Sequence, residues 1–244
     1  MHLPFNQNPK TSYPPTEHSG TPNDGENFKL LLTELRQALD ELGESQGGRY
    51  YGITAALPCG PANIANQDVA FVANILDGLN LMTYDFHGAW DAITGVNAPL
   101  YDQEKGDPES GWSVHGCVEN WVGSTSNNPL GEEQRSKVNI GLPFYGRSYL
   151  NAKELYSSHG GLDELNWKED DGSPQYFNLM ARMGEMTSVR DDVTMTQIAY
   201  FDNGMGMVTY DDERAICDKT EYAMDNGLGG FIICKYCIDC GQVF

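Results

Sequence analysis

An α/β fold built around a parallel sheet is predicted by two features of the sequence. Apolar runs of strand length alternate with amphipathic helical stretches, and the runs are apolar at nearly every position, as strands covered on both faces must be. Each return to a parallel strand needs a crossover, which the intervening helices supply. A third observation bounds the size. The chain has 244 residues, 40% hydrophobic and 20% charged, which is enough for a buried core despite 27 Gly and 12 Pro and fits one large α/β domain or two smaller ones.

The elements follow in order. Residues 1–22 carry Pro4, Pro14, Pro15 and Pro22 with few apolar side chains and read as an irregular arm. Asn23 with Glu26 predicts a capping box, and Phe28, Leu31, Leu32, Leu35, Leu39 and Leu42 then recur at three- and four-residue steps up to Gly43, the pattern of an amphipathic helix. YYGITAAL, 50–57, is β-prone and stops at Pro58; Val69, Val72, Ile75 and Leu76 mark a shorter helix ending at Gly78. LNLMTYDF, 79–86, and VNIGLPFYG, 138–146, read as buried strands. The long stretch between them holds Trp90, Trp112 and Trp121 and a short helix near 114–122, and loops of such length usually serve function. The texture changes after Tyr149. QIAYF and GMGMVTY alternate like two strands of a hairpin turning at Asp202-Asn203-Gly204, so 151–210 reads as an insert. Residues 211–226 are helical in character with Gly227 just past the end, and GGFIIC is a last buried strand. Only four buried strands result, whereas a closed barrel of this class has eight.

Charge narrows the function. Against 35 acidic residues stand 15 basic ones, a net charge of -20, so neither nucleic acid nor an anionic membrane surface is an expected partner. No apolar run reaches the roughly 18 residues of a membrane span, and the first residues lack the apolar core of a secretory signal. Either the protein stays inside the cell or its true start is not in this sequence. Six cysteines are too few in this length to argue a disulfide scaffold. Cys234, Cys237 and Cys240 share the spacing of part of an iron–sulfur run, but the ligand set is incomplete, so no metal is expected. No Gly-x-Gly-x-x-Gly follows a strand and no cofactor is expected; Gly-x-Ser-x-Gly and His-Glu-x-x-His are absent as well.

Ligands of parallel α/β sheets sit at the C-terminal ends of the strands. One such end is Met82-Thr83-Tyr84-Asp85, where Met82 and Tyr84 share a face and Asp85 emerges at the rim. Asp85 either caps the following loop or meets a ligand, and Tyr84 is either a core aromatic or part of the site. The other end is Tyr145-Gly146-Arg147, whose guanidinium either donates to ligand hydroxyls or pairs with one of the many carboxylates. Trp90 adds a flat apolar face. Rings beside hydroxyl-binding groups suggest a carbohydrate.

At these residues the sequence resembles the glycoside hydrolase family 18 chitinases and chitinase-like lectins. GTPNDGENF, MTYDFHGAWD, GLPFYGRSY, VTYDDERA and GLGGFII match family motifs in family order, over roughly residues 20–236. The resemblance implies about the last four strands of a (β/α)8 TIM-type barrel with a small α+β insertion: an arm at 1–22, barrel at 23–150, the insertion at 151–210, and barrel and tail at 211–244. It implies a substrate-assisted, retaining attack on β-1,4-linked N-acetylglucosamine, in which the acetamido oxygen of the sugar is the nucleophile. Tyr84 would bond the acetamido group and Asp85 the sugar near the cleavage point, as the catalytic pair. Met82 would pack beneath, Trp90 stack on a sugar, Tyr145 and Arg147 bind sugar from the rim, and Asn97 hold the intervening loop. Chitin or chito-oligosaccharide is the implied partner and an extracellular location the implied one. Two departures stand out. No segment of the sequence fits Asp-x-x-Asp-x-Asp-x-Glu, whose Glu is the family's proton donor, and Cys234 occupies the place of a family Trp. Hydrolysis by this chain is therefore not expected; a non-catalytic, lectin-like binder is the alternative. Four strands from a barrel would also leave two open sheet edges, through which self-association is expected.

Overall fold

The computed structural model describes residues 21, 23–107, 110–123 and 131–234. Residues 1–20 and Pro22 of the expected arm, and Cys237 and Cys240 of the tail, lie outside the described residues. In chain order the elements are α1 (Asp24–Ser45), β1 (Thr54–Leu57), α2 (Pro61–Ile64), α3 (Val69–Ile75), β2 (Gly78–Leu81), α4 (Val114–Val122), α5 (Glu132–Arg135), β3 (Val138–Pro143), β4 (Arg147–Leu150), α6 (Tyr176–Ala181), β5 (Met186–Asp191), β6 (Thr196–Phe201), β7 (Gly206–Tyr210), α7 (Glu213–Asp225) and β8 (Gly230–Cys234).

Helix α1 starts differently from the predicted box. Asn23 makes no side-chain cap; instead Thr21 donates its backbone N–H and its hydroxyl to the Asp24 carboxylate at 2.8 and 2.6 Å. Phe28 and Leu32 are buried, with Leu39 packed against the same core. Leu31, Leu35 and Leu42 of the same predicted stripe are 37%, 40% and 44% exposed, so only part of the helix's apolar face is covered.

The apolar strands β1, β2, β3 and β8 form one parallel sheet in that order, aligned Thr54 with Gly78, Leu81 with Ile140 and Leu142 with Ile233. Both outer strands are shorter or more exposed than an inner strand. β1 loses Tyr50–Ile53 of the predicted run because β2 begins opposite Thr54; Ile53 donates instead to the Asp77 carboxylate at 2.6 Å. On β8, Phe231 and Ile233 remain exposed at one edge. The core lies between this sheet and its helices: Leu57, Leu79, Leu81, Val138 and Ile140 meet Val72 of α3 and Val118 and Trp121 of α4, all buried. Asp68 caps α3 and Ser113 caps α4 through side-chain acceptors. The Trp121 indole donates to the Pro58 carbonyl at 2.8 Å, which ties α4 to the end of β1.

A second, antiparallel sheet follows the order β4, β7, β6, β5. The predicted hairpin is β6 and β7, turning where Gly204 takes a positive φ of 72° and the Asn203 side chain accepts from Met205 N–H. Its core is Trp167, Leu179, Phe201 and Val208.

A disulfide that the cysteine spacing did not reveal joins Cys59, just after β1, to Cys117 of α4 across 58 positions. Closing a loop of that length restricts the unfolded chain, an effect worth about 2–4 kcal/mol. Thermal unfolding with and without reductant is expected to show a lower midpoint for the reduced protein, and a Cys59→Ala variant should match the reduced value.

Candidate functional site

The site forms where the chain leaves β2. The ladder stops at Leu81, since β1 ends at its partner Leu57 before Pro58. Beyond it the Thr83 hydroxyl replaces the backbone ladder, donating to the Gly141 carbonyl at 2.8 Å and accepting from Gly141 N–H at 2.7 Å. Tyr84 then packs against Gly141: a Cβ there would sit 2.5 Å from the ring, so the ring's seat depends on glycine. Asp85 has φ 59°, a left-handed conformation that non-glycine residues rarely adopt and that favours a functional reading. Asn97 sustains it by accepting Asp85 N–H on Oδ1 at 3.0 Å and Phe86 N–H on its backbone carbonyl at 3.0 Å. The amide of Asn97 in turn donates to the Tyr145 carbonyl at 3.3 Å.

The turn projects the Asp85 carboxylate into a cavity of about 400 Å³. Its Oδ1 accepts from the Tyr145 hydroxyl at 2.8 Å and from Arg147 Nε at 2.8 Å, with Arg147 Nη2 at 2.7 Å. All three contacts fall on Oδ1, and Oδ2 accepts no hydrogen bond from the described residues. Burial opposes the Arg147 charge, but the neighbouring Asp85 carboxylate outweighs it and holds the guanidinium more firmly protonated than usual. Arg147 also donates to Ser173 at 2.7 Å and lies 5.0 Å from the Trp90 ring centre and 5.3 Å from that of Tyr145, a cation–π arrangement. Burial and then the charge of Asp85 push the Tyr145 phenol well above its ordinary range, so it stays a donor. Tyr84 is raised too, chiefly by burial, and meets Tyr145 edge to face at 6.3 Å. Both hydroxyls approach the Cys234 thiol, which burial also pushes upward. That thiol lines the cavity, and its burial favours the neutral form.

The structure thus brings Asp85, Trp90, Tyr145 and Arg147 together on the cavity wall. Tyr84 and Met82 pack in one cluster with Tyr145, Ala98 and Cys234, and Asn97 braces the Asp85 turn. Sequence reasoning missed Leu162, Asp170, Asp171 and Ser173, which also line the cavity, Ser173 directly beside Arg147. Asp170 is already engaged by the Asn178 amide and by Gln175 N–H, while Asp171 is exposed. The stretch Glu169–Ser173 reads only as a turn, and nothing in it marks which cavity it reaches. Also unforeseen was the buried pair behind the site: Lys219 of α7 donates to Asp211 and, at 2.8 Å, to the carbonyl of Ala98, the neighbour of Asn97. No group of three or more metal-binding side chains occurs among the described residues.

The family model described as "Glycosyl hydrolases family 18" matches residues 8–239. The chain belongs to that family. Chitinase A1 of Niallia circulans is 30% identical over 87% of this chain and 31% of its own length. Among solved structures, an immunomodulatory active chitinase from Trichuris suis superposes with a TM-score of 0.78 at 26% identity, covering 87% of this chain and 57% of that one. A mutant class V chitinase from Nicotiana tobaccum in complex with NAG4 gives 0.74 at 26%, covering 89% and 61%. The family 18 match therefore spans about a third of the curated relative and under two thirds of the solved chains. The relatives' fold, the TIM barrel, accounts for the parallel sheet with its flanking helices.

Proposed function

We propose that the cavity over Asp85 binds an N-acetylglucosamine unit of chitin or a chito-oligosaccharide. The observation that carries this reading is the Asp85 carboxylate itself: one oxygen is fixed by Tyr145 and Arg147 and the other is left for a ligand in the cavity. A pre-oriented acceptor beside the indole of Trp90 suits a sugar, which offers a hydroxyl or amide N–H at its edge and C–H groups on its face. The tobacco relative in complex with NAG4 supports the ligand class.

In this reading the barrel portion, about the last four strands, is 23–150 with the described part of 211–244, and 151–210 is the insertion, which contributes Leu162, Asp170, Asp171 and Ser173 to the cavity lining. Tyr84 bonds the acetamido group and Asp85 the sugar near the cleavage point, Met82 packs below, Trp90 stacks on the sugar, Tyr145 and Arg147 bind sugar from the rim, and Asn97 holds the intervening loop. Among the described residues β1 and β8 are edge strands with no further strand beside them, where a closed barrel would have one, so self-association through them is expected. The disulfide between Cys59 and Cys117 favours an oxidising, extracellular location. No helix among the described residues is long and apolar enough to cross a membrane.

Binding without turnover is the expected behaviour of these 244 residues. A positioned general acid contributes about 10²–10⁴-fold to such a reaction, and the Asp-x-x-Asp-x-Asp-x-Glu pattern is absent from the sequence. Incubation with chitotetraose should release no new reducing ends, while calorimetric titration with the same sugar should show saturable binding. Hydrolysis at a rate typical of chitinases would refute the first statement, and no heat of binding the second.

A further inference from the structure

His87 is two residues beyond Asp85, and none of the roles above uses it. It is 6% exposed. Nδ1 lies 3.2 Å from Asp91 Oδ2 and Nε2 lies 2.9 Å from Asp107 Oδ1, so the ring spans the long loop after β2, with a carboxylate at each nitrogen. The Asp107 contact is an ion pair: among the described residues neither oxygen of Asp107 nor His87 Nε2 makes a hydrogen bond of good geometry, and the Asp107 side chain is only 9% exposed. A buried carboxylate in that position needs a cation, and His87 is the one in contact with it. The ring also packs on Gly95, where a Cβ would lie 2.6 Å from it.

What this contact holds is the segment that carries Trp90. Asp91 follows Trp90 directly and accepts Gly88 N–H at 3.3 Å as well as meeting His87. Its carbonyl accepts from His159 Nε2 at 2.9 Å, and since His159 Nδ1 accepts Gly161 N–H, that ring carries its proton on Nε2 and is neutral. Other titratable groups face the pair as well. Tyr149 of β4 senses Asp91, Tyr156 senses Asp107 and Glu104, and Lys105 lies 6.0 Å from the Tyr156 ring. Among these, only His87 bridges both carboxylates.

We propose that His87, bridging Asp91 and Asp107, is the positioning residue that holds Trp90 in place against Arg147 at the mouth of the cavity. Burial opposes its charge, but Asp107 and then Asp91 outweigh burial and raise the imidazole from its ordinary 6.5 to about 9. The sign follows. The raised group lends stability fully below pH 6.5, and this is lost as pH rises from there through about 9. The loop should therefore be held at neutral pH and loosen in alkali.

The consequence for sugar binding rests on the function proposed above; the bridge itself does not. NMR on the full chain tests both. The His87 ring should titrate with a midpoint near 9, the Trp90 indole N–H resonance should shift with the same midpoint, and Asp107→Asn should lower both. In His87→Gln, amide exchange at about pH 7 should accelerate within 88–107 and stay unchanged in β3 and β8. The affinity of the wild type for chitotetraose should fall on the order of tenfold between about pH 7 and pH 10, as for groups coupled in one network, while His87→Gln should be weak at both. Should His87→Gln fail to fold, Asp107→Asn carries the same comparison. A His87 midpoint near 6.5, or a Trp90 resonance indifferent to it, would overturn the proposal. Coupled titration of His87 and Trp90 with no sugar binding at any pH would uphold the bridge and refute the ligand.

Discussion

Replacing Lys219 with alanine is expected to destabilise the protein by about 3–5 kcal/mol, the cost of leaving a buried charge without its partner. Lys219 is 0% exposed, and among the described residues its ammonium meets only Asp211 and the Ala98 carbonyl. Burial pushes the ammonium down and the Asp211 carboxyl up, so each depends on the other to remain charged. Removing Lys219 strands Asp211, which has one oxygen without a hydrogen bond already, and releases the Ala98 carbonyl. Urea unfolding should show the loss as a lower midpoint with an unchanged slope. A double variant, Lys219→Met with Asp211→Leu, should recover much of it, because replacing both members of a buried pair by apolar residues is often close to neutral. Equal losses in the single and double variants would refute this account of the pair. The link to function is direct in the chain: Ala98 adjoins Asn97, which braces Asp85.

Asp85→Ala is expected to weaken chitotetraose binding by about 10- to 100-fold, because a hydrogen bond to a charged group contributes about 1.5–3 kcal/mol. Stability should change far less. The Asp85–Arg147 pair is 29% and 20% exposed at its side chains, and partly exposed pairs are worth about 1 kcal/mol or less. Arg147 also keeps its bond to Ser173. Calorimetric titration beside thermal unfolding separates the two effects. A large loss of affinity with a small shift in midpoint marks a ligand contact; the reverse would make Asp85 a structural anchor for Arg147.

Much of this could be read from the residues because local chemistry and tertiary demands agreed. Helix α4 runs over the predicted 114–122, since Ser113 is a ready cap and Val114, Val118 and Trp121 fall on one face. The hairpin at Asn203-Gly204 is a local event of the same kind. Where a partner across the sheet decided the outcome, the sequence was silent. LNLMTYDF is uniformly strand-like, yet its ladder ends at Leu81 because β1 ends opposite it. Leu31 and Leu35 repeat like core residues, but periodicity says only that a face is apolar and not what covers it. In the site, Asp85, Trp90, Tyr145 and Arg147 stood at strand ends or just past them, where ligands are sought, and they do share a cavity. Cys59 with Cys117, His87 with Asp107, and Asp171 in the same cavity as Trp90 are joined only by folding across long sequence separations, and no local pattern announces them.

The central claim is that the native state offers a sugar site, and thermal unfolding of the purified 244-residue chain with and without chitotetraose tests it most directly. A ligand that binds only the folded form adds about 2.7 kcal/mol at a hundredfold excess over its dissociation constant, so the midpoint must rise. The account predicts a cooperative transition that moves upward with chitotetraose and does not move with cellotetraose, which lacks the acetamido groups. A cooperative transition indifferent to chitotetraose at saturating concentration would contradict it.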